Sequence, residues 1–595
     1  MKELEYPFNS EMIIANKKRI KKNLLSSDEN RIEKKIAILG GSTTRDLMQV
    51  LELFLLNYGI KPSFYESEYN QYYEDGAFPN SALEEFKPDI IYIHTSLRNI
   101  LDLPIIEDSR RSVEEKNQSI YQHFVNLWEH LSLTYHCPII QNNFELPYYR
   151  ILGNREASDY RGICNFVTKL NLKIYDYADT HDNFYIHDIA YEQADYGISA
   201  WSNPYYWHMY KYCCAVPAIP LSAFNIANII KSIFGKNKKA LNLDLDNTLW
   251  GGVIGDDGAD NIEIGQETSL GQVYAEFQNY VKKLKTRGIL LTVNSKNDEN
   301  NAIEGFNRPD SVLKRGDFVS FKANWQPKSK NLFETATELN ILPESFVFVD
   351  DNPAERELIR QTFPGTAVAK IDKPEEYVHD LDRGGYFEAT NISADDLKRN
   401  EMYQANAARA TLMASFSDYG EYLKSLEMKG EIQHFIPAYM SRIAQLTNKS
   451  NQFNLTTKRY TQSEIEIVSD DKAHITLYGK LSDRFGDNGV VSVVIGEIRG
   501  DELHVELWLM SCRVLKRDME FAMMDELVKK CNECGIKKIV GYYYPTAKNG
   551  MVKDFYERQG FTKVSEDNLG NTIWHFDINN DYKNKNLYID VVNKR

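Results

Sequence analysis

Three short apolar runs in the middle of the chain each end in polar residues that suit an ion or a phosphate. They read ALNLDLD, GILLTVNS and SFVFVDD, and helical stretches such as GQVYAEFQNYVKKLKTRG separate them. Apolar runs of strand length that alternate with helices predict a parallel α/β sheet. The polar residues then meet at the carboxyl ends of the strands, where open α/β sheets bind their ligands.

Two carboxylates, Asp244 and Asp246, follow the first of these strands, and Thr248 lies two residues further on. One carboxylate can attack phosphorus while the other moves a proton. The third strand ends in Asp350 and Asp351, which can complete a site for a hard divalent cation. We expect Mg²⁺ there, because it prefers carboxylate oxygens, water and phosphate. The predicted metal ligands are Asp244, Asp246, Asp350 and Asp351.

Two further positions complete the predicted phosphate site. Ser295 ends the second strand and is expected to donate a hydrogen bond to a phosphoryl oxygen. Lys328, in NWQPKSK just before a helix, can neutralise the charge that develops during phosphoryl transfer. Lys330 starts the same helix and is the alternative. Only short polar segments follow Thr248, so we expect an open site without a large cap, suited to a large or carrier-delivered substrate.

This ordered set resembles the haloacid dehalogenase superfamily of phosphoryl-transfer enzymes, and LDLDNTLWGGVIGDDG is similar to its FkbH-like, class IIIC branch. The resemblance implies that Asp244 is the nucleophile that becomes an aspartyl phosphate and that Asp246 is the general acid and base. It also implies that Asp351 is a better metal ligand than Asp350. In the same comparison, Glu355 orients the phosphate-binding lysine, Lys328.

One position departs from the FkbH-like pattern. Many members carry Cys before the Ser-Lys-Asn motif, where a thiol can hold an acyl group, whereas this chain has Asn294. An amide cannot form a thioester, so the sequence favours phosphate hydrolysis. The alternative is glyceryl transfer from 1,3-bisphosphoglycerate to an acyl carrier protein. No other cysteine is placed by the sequence to substitute.

The last part of the chain resembles the α+β fold of GNAT acyltransferases, whose acetyl-CoA is held by an Arg-x-x-Gly-x-Gly/Ala loop at a helix start. The matching loop begins at Arg513, and Lys516 and Asp518 fill its two glycine positions. The candidate residues of this domain are Arg513, Lys516, Arg517, Asn549 and Tyr556. Tyr556 is in the position of a proton donor to the leaving thiolate. An acyl-CoA or pantetheine site and a fold kept only for docking are the two alternatives.

The first part of the chain resembles an SGNH hydrolase at Gly41-Ser42, which follows the strand KIAIL. Ser42 is the candidate nucleophile, and a DxxH pair is expected near the end of the domain. No clean pair is present, and His208 is the candidate histidine. Asp188 is a further candidate, with Asn99 and Asn142 as candidate amide donors. The alternative is that Ser42 caps a helix and that this domain is a degenerate scaffold.

Length and composition agree with several domains in a reducing compartment. The chain has 595 residues, a net charge of −15 and seven scattered cysteines. One hydrophobic core cannot serve so long a chain, and the acidic excess argues against nucleic-acid binding. The polar start and the lack of an apolar run of about 18–20 residues predict a cytoplasmic protein without a membrane span.

The predicted fold class is α/β, with a flavodoxin-like first domain, a Rossmannoid second domain with a minimal cap, and an α+β third domain. The predicted segments are an SGNH-like domain over 1–234, a haloacid-dehalogenase-like phosphatase domain over 235–395, a helical linker over 396–428, a GNAT-like domain over 429–580 and a disordered polar tail over 581–595. We predict a Mg²⁺-dependent phosphatase fused to a GNAT-like acyltransferase, acting on a phosphorylated intermediate of surface glycan, lipid or polyketide biosynthesis. In the alternative, the outer domains only dock a partner such as an acyl carrier protein.

Overall fold

The chain divides into two compact units, Met1–Ile233 and Phe234–Arg595. The computed structural model describes residues 1–26, 31–546, 548–579 and 582–592. The division falls beside the boundary predicted at residues 234 and 235. The second unit contains both the predicted phosphatase segment and the predicted GNAT-like segment, and the three-domain organisation stays a prediction.

A five-stranded parallel sheet forms the centre of the first unit. Its strands are β1 (Ile32–Gly40), β2 (Ile60–Glu66), β3 (Ile90–His94), β4 (Ile139–Asn142) and β5 (Phe184–His187). Their order, β2-β1-β3-β4-β5, is the flavodoxin-like order and confirms the predicted fold class. The strands are almost wholly apolar because helices cover both faces of a parallel sheet. The helices are α1 (Ser10–Leu25), α2 (Arg45–Asn57), α3 (Tyr72–Ala77), α4 (Ser81–Phe86), α5 (Arg110–Tyr135), α6 (Ile163–Thr180), α7 (Ile189–Tyr196), α8 (Ile198–Trp201), α9 (Pro204–Tyr210) and α10 (Ile219–Ile233).

A second five-stranded parallel sheet opens the second unit, as predicted. Its strands are β6 (Ala240–Leu243), β7 (Leu290–Ser295), β8 (Ser320–Ala323), β9 (Phe346–Val349) and β10 (Ala367–Val368). In the order β10-β9-β6-β7-β8, the three strands predicted to carry the site are neighbours. Its helices are α11 (Ile254–Asp257), α12 (Ser269–Thr286), α13 (Glu299–Asn307), α14 (Lys328–Glu338), α15 (Pro353–Thr362) and α16 (Tyr377–Arg383).

An eight-stranded, mainly antiparallel sheet follows, and it agrees with the predicted α+β class. Its strands are β11 (Met428–Gln433), β12 (His474–Asp483), β13 (Gly486–Arg499), β14 (Glu502–Met510), β15 (Lys538–Tyr543), β16 (Thr562–Glu566), β17 (Thr572–Asp577) and β18 (Ile589–Val591). Three helices, α17 (Ala394–Leu397), α18 (Arg399–Met413) and α19 (Tyr419–Ser425), lie in the predicted linker. The other helices are α20 (Pro437–Lys449), α21 (Gln462–Asp470), α22 (Met519–Glu533) and α23 (Phe555–Arg558).

The end of the chain corrects the prediction of a disordered tail. Strand β18 pairs in parallel with β11, with Met428 opposite Ile589. Asp525, on α22, accepts backbone hydrogen bonds from Lys585 and Asn586. The polar composition of this segment hid its order, because one buried residue, Ile589, and backbone pairing are enough to fix it. Residues 580, 581 and 593–595 lie outside the described residues.

The expectation of no apolar run long enough to cross a membrane also needs correction. Among the described residues, the stretch 216–233 has the length and composition of a membrane span, and 72% of it is buried within the first unit. It contains α10, whose Phe224 packs against Phe54 of α2 with ring centroids 5.3 Å apart. Such a buried stretch is typical of a core helix.

Candidate active site

The carboxyl ends of β6, β7 and β9 bring the predicted phosphate residues to one edge of the second sheet. Asp244 directly follows β6, and its N–H donates to the carbonyl oxygen of Val349, the last residue of β9, at 3.0 Å. Ser295 ends β7 and Asp350 directly follows β9. Lys328 is the first residue of α14. The ends of these three parallel strands therefore bring the predicted residues together, as the sequence pattern implied.

Lys328 forms the centre of this cluster. Its Nζ lies 2.9 Å from Oδ2 of Asp244 and 2.6 Å from Oδ2 of Asp350. Burial alone would lower the pKa of Lys328, but the two carboxylates more than offset it and the pKa is raised. The rival Lys330 is exposed, and its Nζ contacts Gln326 at 3.3 Å. The structure thus places Lys328 rather than Lys330 at the carboxylates.

Three of the four predicted metal ligands come together. One oxygen from each of Asp244, Asp350 and Asp351 lies within 4.8 Å of the others. Burial and the charge of Asp244 raise the pKa of Asp350 to about 7 and also raise that of Asp351. This uncompensated negative charge, on hard oxygen ligands, fits a divalent cation such as Mg²⁺.

Asp246 does not belong to that group of ligand atoms, contrary to the prediction. Its Oδ1 accepts hydrogen bonds from Trp250 Nε1 at 2.9 Å and from the N–H of Ile254 at 3.1 Å. Its Oδ2 accepts from Asn297 Nδ2 at 3.0 Å. Burial raises the pKa of Asp246. The carboxyl is thus held in one orientation and retains its proton more readily than a free one, as an acid–base group requires. The sequence analysis did not identify Trp250 and Asn297 as its partners.

Of the remaining predicted residues, Thr248 and Ser295 are buried, whereas Glu355 contacts a different lysine from the one predicted. Thr248 is buried, and its Oγ1 accepts from the N–H of Asp351 at 3.3 Å. Ser295 is buried at the end of β7. Glu355 does not orient Lys328, because its Oε1 contacts Lys296 Nζ at 2.5 Å. The prediction for Glu355 is therefore wrong, and the two aspartates hold Lys328 directly.

Asn294 lies in a buried amide network beside the cluster. Its Nδ2 donates to Asn242 Oδ1 at 2.8 Å and to the carbonyl oxygen of Lys328 at 2.9 Å. Its Oδ1 accepts from Asn331 Nδ2 at 3.2 Å. Asn294 therefore fixes the start of α14, and with it the backbone of Lys328.

The loops that follow β6 are short. Between Asp246 and α12, the described chain forms one four-residue helix, α11, and two isolated bridges, Asp246 to Trp250 and Gly251 to Glu263. A cap domain of its own core would need far more residues than this. The structure agrees with the prediction of a minimal cap.

In the third sheet, the predicted phosphate-binding arginines point inward. Arg517 donates to Asp483 Oδ2 at 3.1 Å and to the carbonyl oxygen of Arg513 at 2.7 Å. Arg513 is buried, and its Nε donates to Ser511 Oγ at 3.2 Å. Both guanidinium groups are therefore engaged by acceptors of the protein itself, and a phosphate-binding role for Arg513 or Arg517 stays a prediction.

In the loop before α22, the two residues at the glycine positions of the GNAT pattern have the left-handed backbone conformation that glycine adopts easily. Lys516 and Asp518 have φ of 62° and 59°, which costs a side-chain-bearing residue about 1–2 kcal/mol. Asp518 lies at the start of α22. Burial, and to a smaller extent the charge of Asp518, raises the pKa of Glu520. Two acidic groups at this helix start oppose a pyrophosphate.

A gap between β14 and β15 is filled by the chain itself. The two strands pair only from Glu502–Lys538 to His504–Val540. Beyond these pairs, Met510 N donates to Phe453 O at 3.0 Å and Leu455 N donates to Trp508 O at 3.1 Å. On the other side, Tyr544 N donates to Leu455 O at 2.9 Å. Residues 453–455 therefore take the place that an extended ligand could occupy as an added strand.

The two other GNAT-like candidates are structural. Asn549 is buried and donates to the carbonyl oxygens of Asn454 and Tyr544, each at 2.9 Å. Tyr556 is fully buried, and its hydroxyl accepts from the N–H of Tyr542 at 3.2 Å. Burial raises the pKa of Tyr556. Its hydroxyl is closed to a thiolate, so the predicted proton donor is not in place.

The predicted SGNH-like pair is not formed in the first unit. Ser42 is buried after β1, whereas His208 lies on the exposed face of α9. Asp188 caps α7 by accepting from the N–H of Tyr191 at 3.1 Å. The Asn142 amide donates to the carbonyl oxygen of Thr95 at 2.6 Å. These contacts are structural, and the nucleophile–histidine prediction fails at His208.

The parallel sheet, the three carboxylates and the buried lysine define an α/β fold of the haloacid dehalogenase type with a minimal cap. Residues 35–231 match the family described as FkbH, N-terminal domain. The chain is also similar to the crystal structure of the N-terminal part of the protein BF1531 from Bacteroides fragilis, containing a phosphatase domain complexed with Mg. The identity is 31%, the TM-score is 0.58, and the match covers 63% of this chain and 99% of that one. The chain belongs to the FkbH-like family.

Two weaker likenesses are to N-acetyltransferases. The ribosomal-protein-S18-alanine N-acetyltransferase from Escherichia coli is 12% identical over 27% of this chain and 99% of that one, with a TM-score of 0.20. The paiA N-acetyltransferase from Thermoplasma acidophilum, in complex with coenzyme A, is 15% identical over 25% and 99%, with a TM-score of 0.19. At these scores the likeness carries no conclusion about activity. No curated protein matches the chain.

Proposed function

We propose that this chain is a Mg²⁺-dependent phosphatase that works through an aspartyl phosphate on Asp244. The observation that carries the proposal is the buried Lys328, whose Nζ contacts both Asp244 and Asp350. A buried lysine between two carboxylates suits a site that must bind a phosphate and stabilise its transition state. The match to BF1531, whose structure contains a phosphatase domain with Mg, gives independent support.

In the proposed reaction, Asp244 is the nucleophile and Asp246 is the general acid and base. A carboxylate oxygen of Asp244 attacks phosphorus, and the leaving oxygen takes the proton of Asp246, which Trp250 and Asn297 hold in place. Water, deprotonated by Asp246, then attacks the phosphorus of the aspartyl phosphate, which releases phosphate and restores both carboxyl groups.

Other groups hold the phosphoryl oxygens during both steps. Thr248 and Ser295 are the proposed hydroxyl donors, and Lys328 is the proposed cation. Mg²⁺, when held by Asp244, Asp350 and Asp351, would neutralise phosphate charge. The open edge of the sheet favours a phosphorylated small molecule or a carrier-bound substrate from surface glycan, lipid or polyketide biosynthesis.

Hydrolysis is favoured over glyceryl transfer to an acyl carrier protein in this domain. Asn294 replaces the family's cysteine, and its amide is fully engaged with Asn242, Asn331 and the Lys328 backbone. Asn294 therefore has a structural role, and the position has no thiol.

A cytoplasmic location stays a prediction from the cysteine content.

For the third sheet, the docking alternative has the stronger support. Residues 453–455 fill the split between β14 and β15, and two acidic groups lie at the start of α22. We therefore expect acetyl-CoA to produce no heat in calorimetry and no shift in thermal unfolding. Binding at micromolar concentration would instead favour the acyltransferase alternative.

The decisive experiment measures hydrolysis of an aryl phosphate with Mg²⁺. Asp244→Asn should lower kcat by about 1,000-fold or more, because loss of a nucleophile removes the covalent route. Asp260→Asn, an exposed carboxyl in the loop after β6, is the matched control and should retain full activity. An Asp244→Asn variant that keeps a tenth of the activity would refute the aspartyl-phosphate mechanism.

A further inference from the structure

A row of hydrogen-bonded side chains crosses the carboxyl edge of the first sheet. Cys213 Sγ lies 3.0 Å from His94 Nε2, and His94 Nδ1 lies 2.8 Å from the Tyr92 hydroxyl. That hydroxyl lies 3.0 Å from His187 Nδ1, and His187 Nε2 lies 2.6 Å from Glu192 Oε1. The row therefore joins a thiol to a carboxylate through two imidazole rings and one phenol.

An arrangement with a thiolate and a charged imidazole satisfies every contact in the row. With Cys213 as a thiolate, both nitrogens of a charged His94 donate, one to the sulfur and one to the Tyr92 hydroxyl. The Tyr92 hydroxyl then donates to His187 Nδ1, and His187 Nε2 donates to Glu192. From His94 to Glu192 these hydrogen bonds point in one direction, and such a chain strengthens each of its members.

The position of the row also suits a reactive group. His94 is the last residue of β3 and pairs with Gly40 on β1, two residues before Ser42. The segment that carries Cys213 is tied to this edge, because Thr43 N donates to the carbonyl oxygen of Lys211 at 2.9 Å. Ligands of open α/β sheets bind at this edge. Cys213 is partly exposed, whereas the other four members are buried.

The electrostatics agree with an ion pair. Cys214, and then His94, hold the pKa of Cys213 well below its usual value, although burial opposes them. Burial would lower the pKa of His94, but Cys213 more than offsets it and the pKa is raised. Both Cys213 and Cys214 are free thiols.

We propose that Cys213 and His94 form a second reactive centre, in the first unit, which accepts the acyl group of an activated ester or thioester on the Cys213 sulfur. Apart from His94, the groups that face the sulfur or this histidine are neutral or acidic, namely Ser42, Tyr92, Glu145, Glu192 and Cys214. They disfavour an anionic phosphate and favour an uncharged acyl carbonyl.

The step balances without a further reagent. The Cys213 thiolate attacks the acyl carbonyl, the bond to the leaving group breaks, and charged His94 gives its proton to that group. The products are an acyl thioester on Cys213, neutral His94 and the free alcohol or thiol. Water or an acceptor hydroxyl then gives a proton to His94 and attacks the thioester, which restores the thiolate and the charged imidazole.

The test exposes the full chain to p-nitrophenyl acetate at pH 6.5 and locates the acetyl group by peptide mass mapping. We expect one acetyl group on Cys213, its loss in Cys213→Ala and Cys213→Ser, and at least tenfold slower acylation in His94→Gln. Cys164 is the matched control, because it is partly exposed in the same unit and burial raises its pKa. Acetylation of Cys164 in preference to Cys213, or an unlabelled Cys213, would overturn the proposal.

Alkylation of the wild-type chain by iodoacetamide keeps the proposal testable even if a variant fails to fold. At pH 6, Cys213 should react at least about tenfold faster than Cys164, since only a thiolate reacts. His94→Gln should remove this advantage. A Cys213 rate that rises only near an ordinary thiol pKa of about 8.5 would refute the ion pair.

Discussion

The two five-stranded parallel sheets of this chain carry different groups at the same edge, the carboxyl ends of their strands. At the edge of the second sheet, Asp244, Asp350 and Lys328 are joined by ion pairs of 2.6–2.9 Å. At the edge of the first sheet, Cys213 and His94 stand in a row of neutral and charged hydrogen bonds. A parallel sheet therefore supplies a place where strand ends converge, and the residue types at those ends decide the reaction.

The difference also concerns charge. The second edge carries an excess of carboxylates that calls for a cation, whereas the first edge pairs one thiol with one imidazole and needs none. We therefore expect the two edges to respond independently to mutation, metal and pH. Alkylation of Cys213 is the readout for the first unit, and phosphatase activity and thermal unfolding are the readouts for the second.

The largest effect is expected from the lysine. Lys328→Met should lower phosphatase kcat by about 100- to 1,000-fold, because removal of one preorganised charge costs that much in comparable sites. Lys330→Met, at the exposed lysine two residues further along the same turn of α14, should change kcat less than twofold. Alkylation of Cys213 should be the same in both variants. Equal losses in the two variants would contradict the assignment of Lys328.

Metal should stabilise the second unit. Mg²⁺ at 100 times its Kd should raise the free energy of unfolding by about 2.7 kcal/mol, as expected for one site. In Asp351→Asn this gain should shrink, because one carboxylate of the group is lost. Thermal unfolding with and without Mg²⁺ measures both values. A wild-type chain that Mg²⁺ leaves unchanged would argue against a cation at these three carboxylates.

Two buried amides offer a closely matched comparison. Asn142 is the last residue of β4, and Asn294 is the last but one of β7. Each side-chain amide donates two hydrogen bonds. Alanine at either position should cost about 1–3 kcal/mol of stability, since buried partners lose their bonds. Only Asn294→Ala should also slow the phosphatase, because only Asn294 holds the Lys328 backbone. Equal activity in both variants would contradict that positioning role.

The smallest effect concerns pH. The raised pKa of Asp350, about 7 without metal, means that the folded state holds its proton more tightly than the unfolded state. Its contribution to stability is therefore present at low pH and is lost as pH rises through about 7. Metal-free protein should unfold at lower temperature at pH 8 than at pH 6, and Asp350→Asn should reduce that slope. The opposite slope would show that Asp350 is not the controlling group.

Much of the second sheet was predictable from sequence because its signals are local. The runs that became β6, β7 and β9 are short, apolar and followed by polar residues, so their strand character and their polar ends follow from sequence alone. The choice of Lys328 over Lys330 needed the structure, because both lysines lie at the same helix start and only the Nζ of Lys328 contacts the carboxylates. The acid–base partners Trp250 and Asn297 could not be predicted, because they reach Asp246 across loops with no periodic signal.

The first and third sheets show where such reasoning fails. The resemblance at Ser42 predicted a histidine from a downstream DxxH pair. Instead, Cys213 is the neighbour of Ser42, and the histidine that contacts Cys213 is His94, the last residue of β3. The vicinal Cys213 and Cys214 were the only sequence signal. In the third sheet, the resemblance predicted an acyl-CoA or pantetheine site, yet residues 453–455 fill the split between β14 and β15 through backbone hydrogen bonds that side-chain patterns do not encode.

The sequence by itself determined the strand-and-helix alternation, the carboxylates of the second sheet and the family resemblance, because each depends on residues close together in the chain. The tertiary structure alone decided that Asp246 turns away from the metal ligands, that 589–591 completes a sheet and that His94 meets Cys213. Most of these contacts, such as Asn297 with Asp246 and His94 with Cys213, join residues far apart in sequence, and only the packing of the unit brings them within hydrogen-bond distance.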